Sequence, residues 1–148
     1  RMTAGCSMGG GGAANIGLFN PTLFSGVVSF YGALNYVGGI TTGAQAATSD
    51  YLDQFTIYMA CGNQDVYSFY NVQEQMSAIL TEKGIKHYHE VDNGGHDNIF
   101  YLPRFVPALQ YLDAGMYHTD DSADIISGTA DTSLENDRLN VTYQEAVY

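Results

Sequence analysis

The sequence predicts an α/β protein built on a parallel sheet covered by helices on both faces. Three observations predict it. Short apolar runs suited to buried strands alternate with helical stretches over residues 1–112. A glycine-flanked serine turn, Gly5-Cys6-Ser7-Met8-Gly9, joins the first strand to the first helix. Ser7, Asp65 and His96 each fall just past the end of a different strand, the end at which parallel sheets carry their sites.

The elements follow in order. Arg1 to Ala4 is the tail of a strand, and Met8 to about Leu18 is the helix after the turn. Gly5 and Gly9 let strand and helix approach closely around Ser7. The run Gly9–Gly12 would cost a free helix roughly 1 kcal/mol per glycine against alanine, so it predicts close packing on the sheet or on another backbone. Asn20-Pro21 ends this helix, because the residue before proline avoids the helical region. Phe24 to Tyr31 reads as a mostly buried strand. Residues 32–53 are a Gly/Thr/Ala-rich connection without a clear period, either a substrate-facing loop or a short helix. Phe55 to Ala60 is a second buried strand, closed by Cys61-Gly62-Asn63-Gln64-Asp65. Val72, Met76, Ile79 and Leu80 form one helical stripe, capped by Gly84. Ile85 to Val91 alternates as a strand, and Asp92-Asn93-Gly94-Gly95 turns into His96. Leu102 to Leu112 is a last helix, with Pro103 near its start and Pro107 marking a kink or a delayed first turn.

Composition removes several classes. With 5 Lys+Arg against 16 Asp+Glu, a net charge of −11 is wrong for a nucleic-acid binder. Residues 2–49 carry no charge or histidine, yet Asn20-Pro21, Ser25, Ser29, Asn35 and Gly38-Gly39 break every membrane-length apolar run. Cys6 and Cys61 make neither a disulfide framework nor a zinc motif, and both read as buried thiols at strand ends. The charge is uneven: residues 1–112 hold 8 acids and 4 bases, residues 113–148 hold 8 acids and 1 base. That shift sets a boundary near Asp113. Residues 116–138 read as an acidic linker or tail, and the alternation of Leu139, Val141 and Tyr143 as a strand returning to the domain or opening a following module.

The chemistry begins at G-x-S-x-G, the nucleophile elbow of α/β-hydrolases. Ser7, Asp65 and His96 also run in the Ser–Asp–His order of that fold. Gly5-Cys6-Ser7-Met8-Gly9-Gly10, Cys61-Gly62-Asn63-Gln64-Asp65 and Gly94-Gly95-His96-Asp97 together resemble an esterase family of α/β-hydrolases. That family includes feruloyl and acetylxylan esterases, S-formylglutathione hydrolases and mycolyltransferases. The resemblance spans residues 1–115 and is strongest to feruloyl-esterase-like domains of bacterial cell-wall-degrading enzymes. It implies a serine esterase acting on feruloyl or acetyl esters of plant polysaccharide, secreted, with no cofactor or metal. Ser7 would be the nucleophile, His96 the general base and then acid, Asp65 the group that orients His96, and Met8 N–H one oxyanion donor. An acyl transfer or thioester hydrolysis on the same triad is the alternative, as is a non-catalytic fragment or interaction module.

The departure from the family lies ahead of the elbow. The strands that precede it there have no counterpart here, so the chain reads as the C-terminal half of a catalytic domain and as an excerpt of a longer protein. A missing half or a partner chain would then complete the sheet, cover its edge and supply the second oxyanion donor. The excerpt alone is expected to be a poor esterase. Other assignments stay open. Asp65 could simply cap the following helix, leaving Asp92 as the acid. His87 and His89 share a strand face as a His-x-His pair lacking a third ligand. His118, in the acidic end, has no role. The 12 Tyr and 7 Phe suit an aromatic acyl pocket as well as an ordinary core.

Overall fold

The computed structural model describes residues 1–34 and 55–116. Most of the 32–53 connection, His118, and the acidic end from residue 117 lie outside the described residues. The elements are β1 (Met2–Cys6), α1 (Met8–Phe19), β2 (Gly26–Phe30), β3 (Thr56–Gly62), α2 (Phe69–Glu82), β4 (Lys86–Asp92) and α3 (Asn98–Met116). The four strands form one parallel sheet in the order β1-β2-β3-β4.

Register aligns the strand ends. Cys6 pairs with Phe30, Phe30 with Ala60, and Ala60 with Glu90. The residues that follow β1, β2, β3 and β4 therefore emerge along one edge of the sheet. The central strands β2 and β3 are buried throughout, as continuous apolar runs in a two-sided parallel sheet require.

Side chains alternate between two cores. On one face Val27, Ile57 and Met59 pack with Ala14 and Leu18 of α1 and with Met76 and Leu80 of α2. On the other, Val28, Phe30, Tyr58 and Ala60 pack with Phe100, Ala108 and Leu112 of α3. The expected two-sided architecture is thus present. In α2 the stripe Val72–Met76–Ile79–Leu80 does face the core, and Gly84 follows the helix in the left-handed region, at φ +69°.

Three expectations need correction. The last helix starts at Asn98, well before Leu102, and carries Pro103 and Pro107 inside it. Its start is set by Asp97, whose Oδ1 accepts the Phe100 N–H at 3.0 Å, the bond an N-cap carboxylate makes to the first turn. Cys61 is buried, but Cys6 only partly so. The glycine run after Ser7 is also not uniformly packed: a side chain at Gly10 would press on Ser29 and Gly32, whereas Gly9 and Gly12 face open space. No helix among the described residues is long and apolar enough to cross a membrane.

Candidate active site

Ser7 sits between β1 and α1 at φ 53°, ψ −125°, a conformation costly for a residue with a side chain. Four backbone contacts hold it there. Its N–H donates to Phe30 O at 3.0 Å, and its carbonyl accepts from Gly11 N–H at 3.0 Å and Ala33 N–H at 2.9 Å. The fourth is the approach of Gly5 to the helix: a Cβ on Gly5 would lie 2.2 Å from Gly9 O. The close approach therefore needs glycine at position 5 and only a backbone carbonyl at position 9. A serine at an N-cap ordinarily bonds the first-turn N–H groups, but Ser7 makes no side-chain cap bond. The Met8 N–H is one of those the helix leaves without an internal partner.

Asp65 lies in the loop between β3 and α2, and His96 in the loop between β4 and α3. The two loops are stitched together. Asn63 N–H donates to Asp92 O at 2.8 Å, Gln64 N–H to Gly94 O at 2.9 Å, and Gln64 Nε2 to Asn93 Oδ1 at 2.7 Å. Gly62 permits this, since a Cβ there would sit 2.1 Å from Gly94 O.

The stitching brings His96 Nδ1 to 2.6 Å from Asp65 Oδ2, on a carboxylate that is wholly buried. A carboxylate only accepts, so the imidazole proton is on Nδ1 and the basic lone pair is on Nε2. Asp65 does not cap α2, whose N-cap is Ser68. Its Oδ1 accepts the Tyr67 N–H at 2.8 Å, tying down the loop, while Oδ2 holds His96. Burial, and then the charge of Asp65, push the Cys61 thiol up to about 12. It therefore stays protonated and points its S–H at Asp65 Oδ2, 3.7 Å away.

Asp92, the substitute acid, is engaged elsewhere: its Oδ2 accepts from Arg104 at 2.6 Å. His87 has both ring nitrogens occupied, by Ile85 O and the Ser77 hydroxyl, each at 2.8 Å. Among the described residues no group of three His, Cys, Asp or Glu is placed to hold a metal ion.

Three rings surround His96. Tyr31 lies over it at 4.2 Å between centroids, and Tyr67 and Phe69 meet it edge-on at 4.9 and 5.8 Å. Tyr67 and Phe69 in turn line a cleft of about 350 Å3 together with Ser7, Met8 and Ala33. Ser7 and His96 thus converge on the same two aromatic side chains from different loops. Apart from the Ser7 and Tyr67 hydroxyls and backbone groups, the lining side chains are apolar.

No family model and no curated protein matches the chain. Solved structures do. A ferulic acid esterase is similar at 19% identity and TM-score 0.66, over 78% of this chain and 52% of its own. The S-formylglutathione hydrolase of Staphylococcus aureus is similar at 19% identity and TM-score 0.59, over 74% of this chain and 52% of its own. The fold is that of α/β-hydrolases, in part. The capsule O-acetyltransferase of Neisseria meningitidis serogroup A gives the same result, at 20% identity and TM-score 0.58, over 72% of this chain and 55% of its own. The chain therefore spans about half the length of these three structures.

Tyr31, Tyr67 and Phe69 carry no signal in the sequence that sets them apart from its other 16 tyrosines and phenylalanines. The contact of Cys61 with Asp65 is likewise not announced by its position along the chain.

Proposed function

We propose that this chain carries the catalytic triad of a serine carboxylesterase, with Ser7 as nucleophile, His96 as base and acid, and Asp65 as the orienting carboxylate. The observation that carries the reading is the 2.6 Å bond between His96 Nδ1 and the buried Asp65 Oδ2; Ser7, which makes no side-chain cap bond, lines a cleft with Tyr67 and Phe69, the rings that meet His96.

The chemistry follows from that geometry. As Ser7 Oγ attacks an ester carbonyl carbon, its proton passes to His96 Nε2. Asp65 stabilises the imidazolium that results. The Met8 N–H, at the positive end of α1, donates to the carbonyl oxygen as it becomes an oxyanion. His96 then returns the proton to the departing alcohol, leaving an acyl-Ser7, and a water activated by the same nitrogen hydrolyses it.

The apolar cleft with Tyr67 and Phe69 in its wall supports an ester with an apolar or aromatic acyl group, in line with feruloyl or acetyl esters of plant polysaccharide. The similarity to an O-acetyltransferase and to an S-formylglutathione hydrolase supports a second reading, acyl transfer or thioester hydrolysis on the same triad. In either case strands ahead of β1 would complete the sheet and supply the second oxyanion donor; loss of one such donor costs about 10²–10³ in rate. The reading also implies an extracellular protein that works without a cofactor.

A fluorophosphonate probe is expected to label the full-length protein at Ser7 and to lose all labelling in Ser7→Ala. Comparative turnover of methyl ferulate, acetylated xylan and S-formylglutathione then separates the two readings. Undiminished labelling of Ser7→Ala would overturn both.

A further inference from the structure

Tyr31 is the most strained aromatic residue of the site. It follows β2 at φ 36°, in the left-handed region that bulky side chains avoid. The turn has a geometric consequence. Successive strand residues point to opposite faces, yet Phe30 and Tyr31 pack into the same cluster. The turn folds the Tyr31 ring back over the side of the sheet where α3 and His96 lie. Tyr31 N–H is fastened to Ala60 O at 2.7 Å. The residue is 4% exposed and is not among those that line the cleft with Ser7.

Strain that the surroundings hold in place points to use. We propose that Tyr31 is a positioning residue for His96: its ring fixes the imidazole plane relative to the elbow and stabilises the imidazolium formed while Ser7 attacks. The inference rests on the triad reading above. An aromatic face within about 6 Å of a cation attracts it through the ring quadrupole, more strongly when water is excluded. Here the two ring centroids lie 4.2 Å apart, with the planes tilted by 44°. The other titratable groups around the imidazole are Asp65, bonded to Nδ1, and Tyr67 at its edge. Cys6, Tyr101 and Asp97 act on the Tyr31 hydroxyl by their charge.

The test varies the quadrupole at constant shape. In the full-length protein, Tyr31→Phe keeps the ring and removes the hydroxyl, while a trifluorophenylalanine at position 31 keeps the shape and drains the ring of electron density. The imidazole resonance of His96 is titrated directly in each, and the acidic limb of kcat/KM is recorded beside it. The midpoint is expected to hold in Tyr31→Phe and to fall by about half a unit or more with fluorination, with kcat reduced and KM unchanged. A ring that served only as packing would leave the midpoint unmoved by fluorination, and that result overturns the proposal. So does a midpoint that moves as far in Tyr31→Phe as in the fluorinated variant. Because the titration needs no turnover, it fails or succeeds separately from the esterase reading, which stands or falls on Ser7 labelling.

Discussion

Asp65 divides its two oxygens between architecture and chemistry. One accepts the Tyr67 N–H and keeps the loop closed; the other takes His96 Nδ1 and the Cys61 thiol. Substituting asparagine tests the division. In Asp65→Asn the side-chain oxygen can still receive Tyr67 N–H, but the amide that replaces the other oxygen donates where a carboxylate accepted. His96 must then present Nδ1 as an acceptor, and the proton moves to Nε2, where on the proposed triad it would block removal of the Ser7 proton. A wrong-tautomer substitution of this kind costs a triad enzyme about 10⁴ in kcat while leaving its geometry intact. Asp65→Asn is therefore expected to lose about that factor in ester turnover, with urea unfolding close to the parent's. Asp92→Asn, which loosens only the Arg104 contact, should keep its activity. Equal losses from the two substitutions would place the orienting acid wrongly.

Loops, rather than strands, bring the site together, and glycine decides how closely they meet. A methyl group on Gly62 would collide with backbone at Gly94, and backbone cannot rotate away. Gly62→Ala should push the loop of Asp65 from the loop of His96, destabilise the fold by about 1–3 kcal/mol and lower kcat with it. Gly12 makes the contrast. A methyl there meets nothing within 4 Å, and alanine is the better helix former, so Gly12→Ala should raise stability by roughly 0.5–1 kcal/mol in urea unfolding. The same elements show what was legible in the sequence. β2 and β3 stood out because full burial leaves an uninterrupted apolar run, and α2 because one face alone meets the core. Ser7, Asp65 and His96 were legible as residues that follow strands, and the structure places each of them there, with Asp65 and His96 in contact. The start of α3 was hidden because Pro103 and Pro107 suggest helix breaks, whereas the cap at Asp97 and packing of Phe100, Ala108 and Leu112 outweigh them. Gly9 and Gly10 look alike in sequence, and only the approach of β2 distinguishes them. Tyr31 was illegible for a related reason: its position over His96 depends on a backbone turn that residue type disfavours.

At the scale of the whole molecule, helices pack on both faces of the sheet and bury its central strands, and one titratable group of β4 is caught half inside. His89, on β4, has an Nε2 that is buried and lacks a hydrogen-bond partner. Burial lowers its pKa from the ordinary value near 6.5; the charge of Glu74 opposes this and that of His87 adds to it. The sign of the stability effect follows. Between the lowered folded value and the ordinary unfolded value, the unfolded chain binds a proton that the folded chain does not. Stability is therefore full above about pH 6.5 and declines as pH falls through that window. His89→Gln removes this one titration. Urea unfolding of the parent and His89→Gln, measured from neutral pH down to about pH 5, should show the parent losing ground relative to the variant as the acid side is approached. Curves that run parallel across the window would mean that His89 gains its proton equally in the folded and unfolded chains, and that its nitrogen is not shut in between sheet and helix.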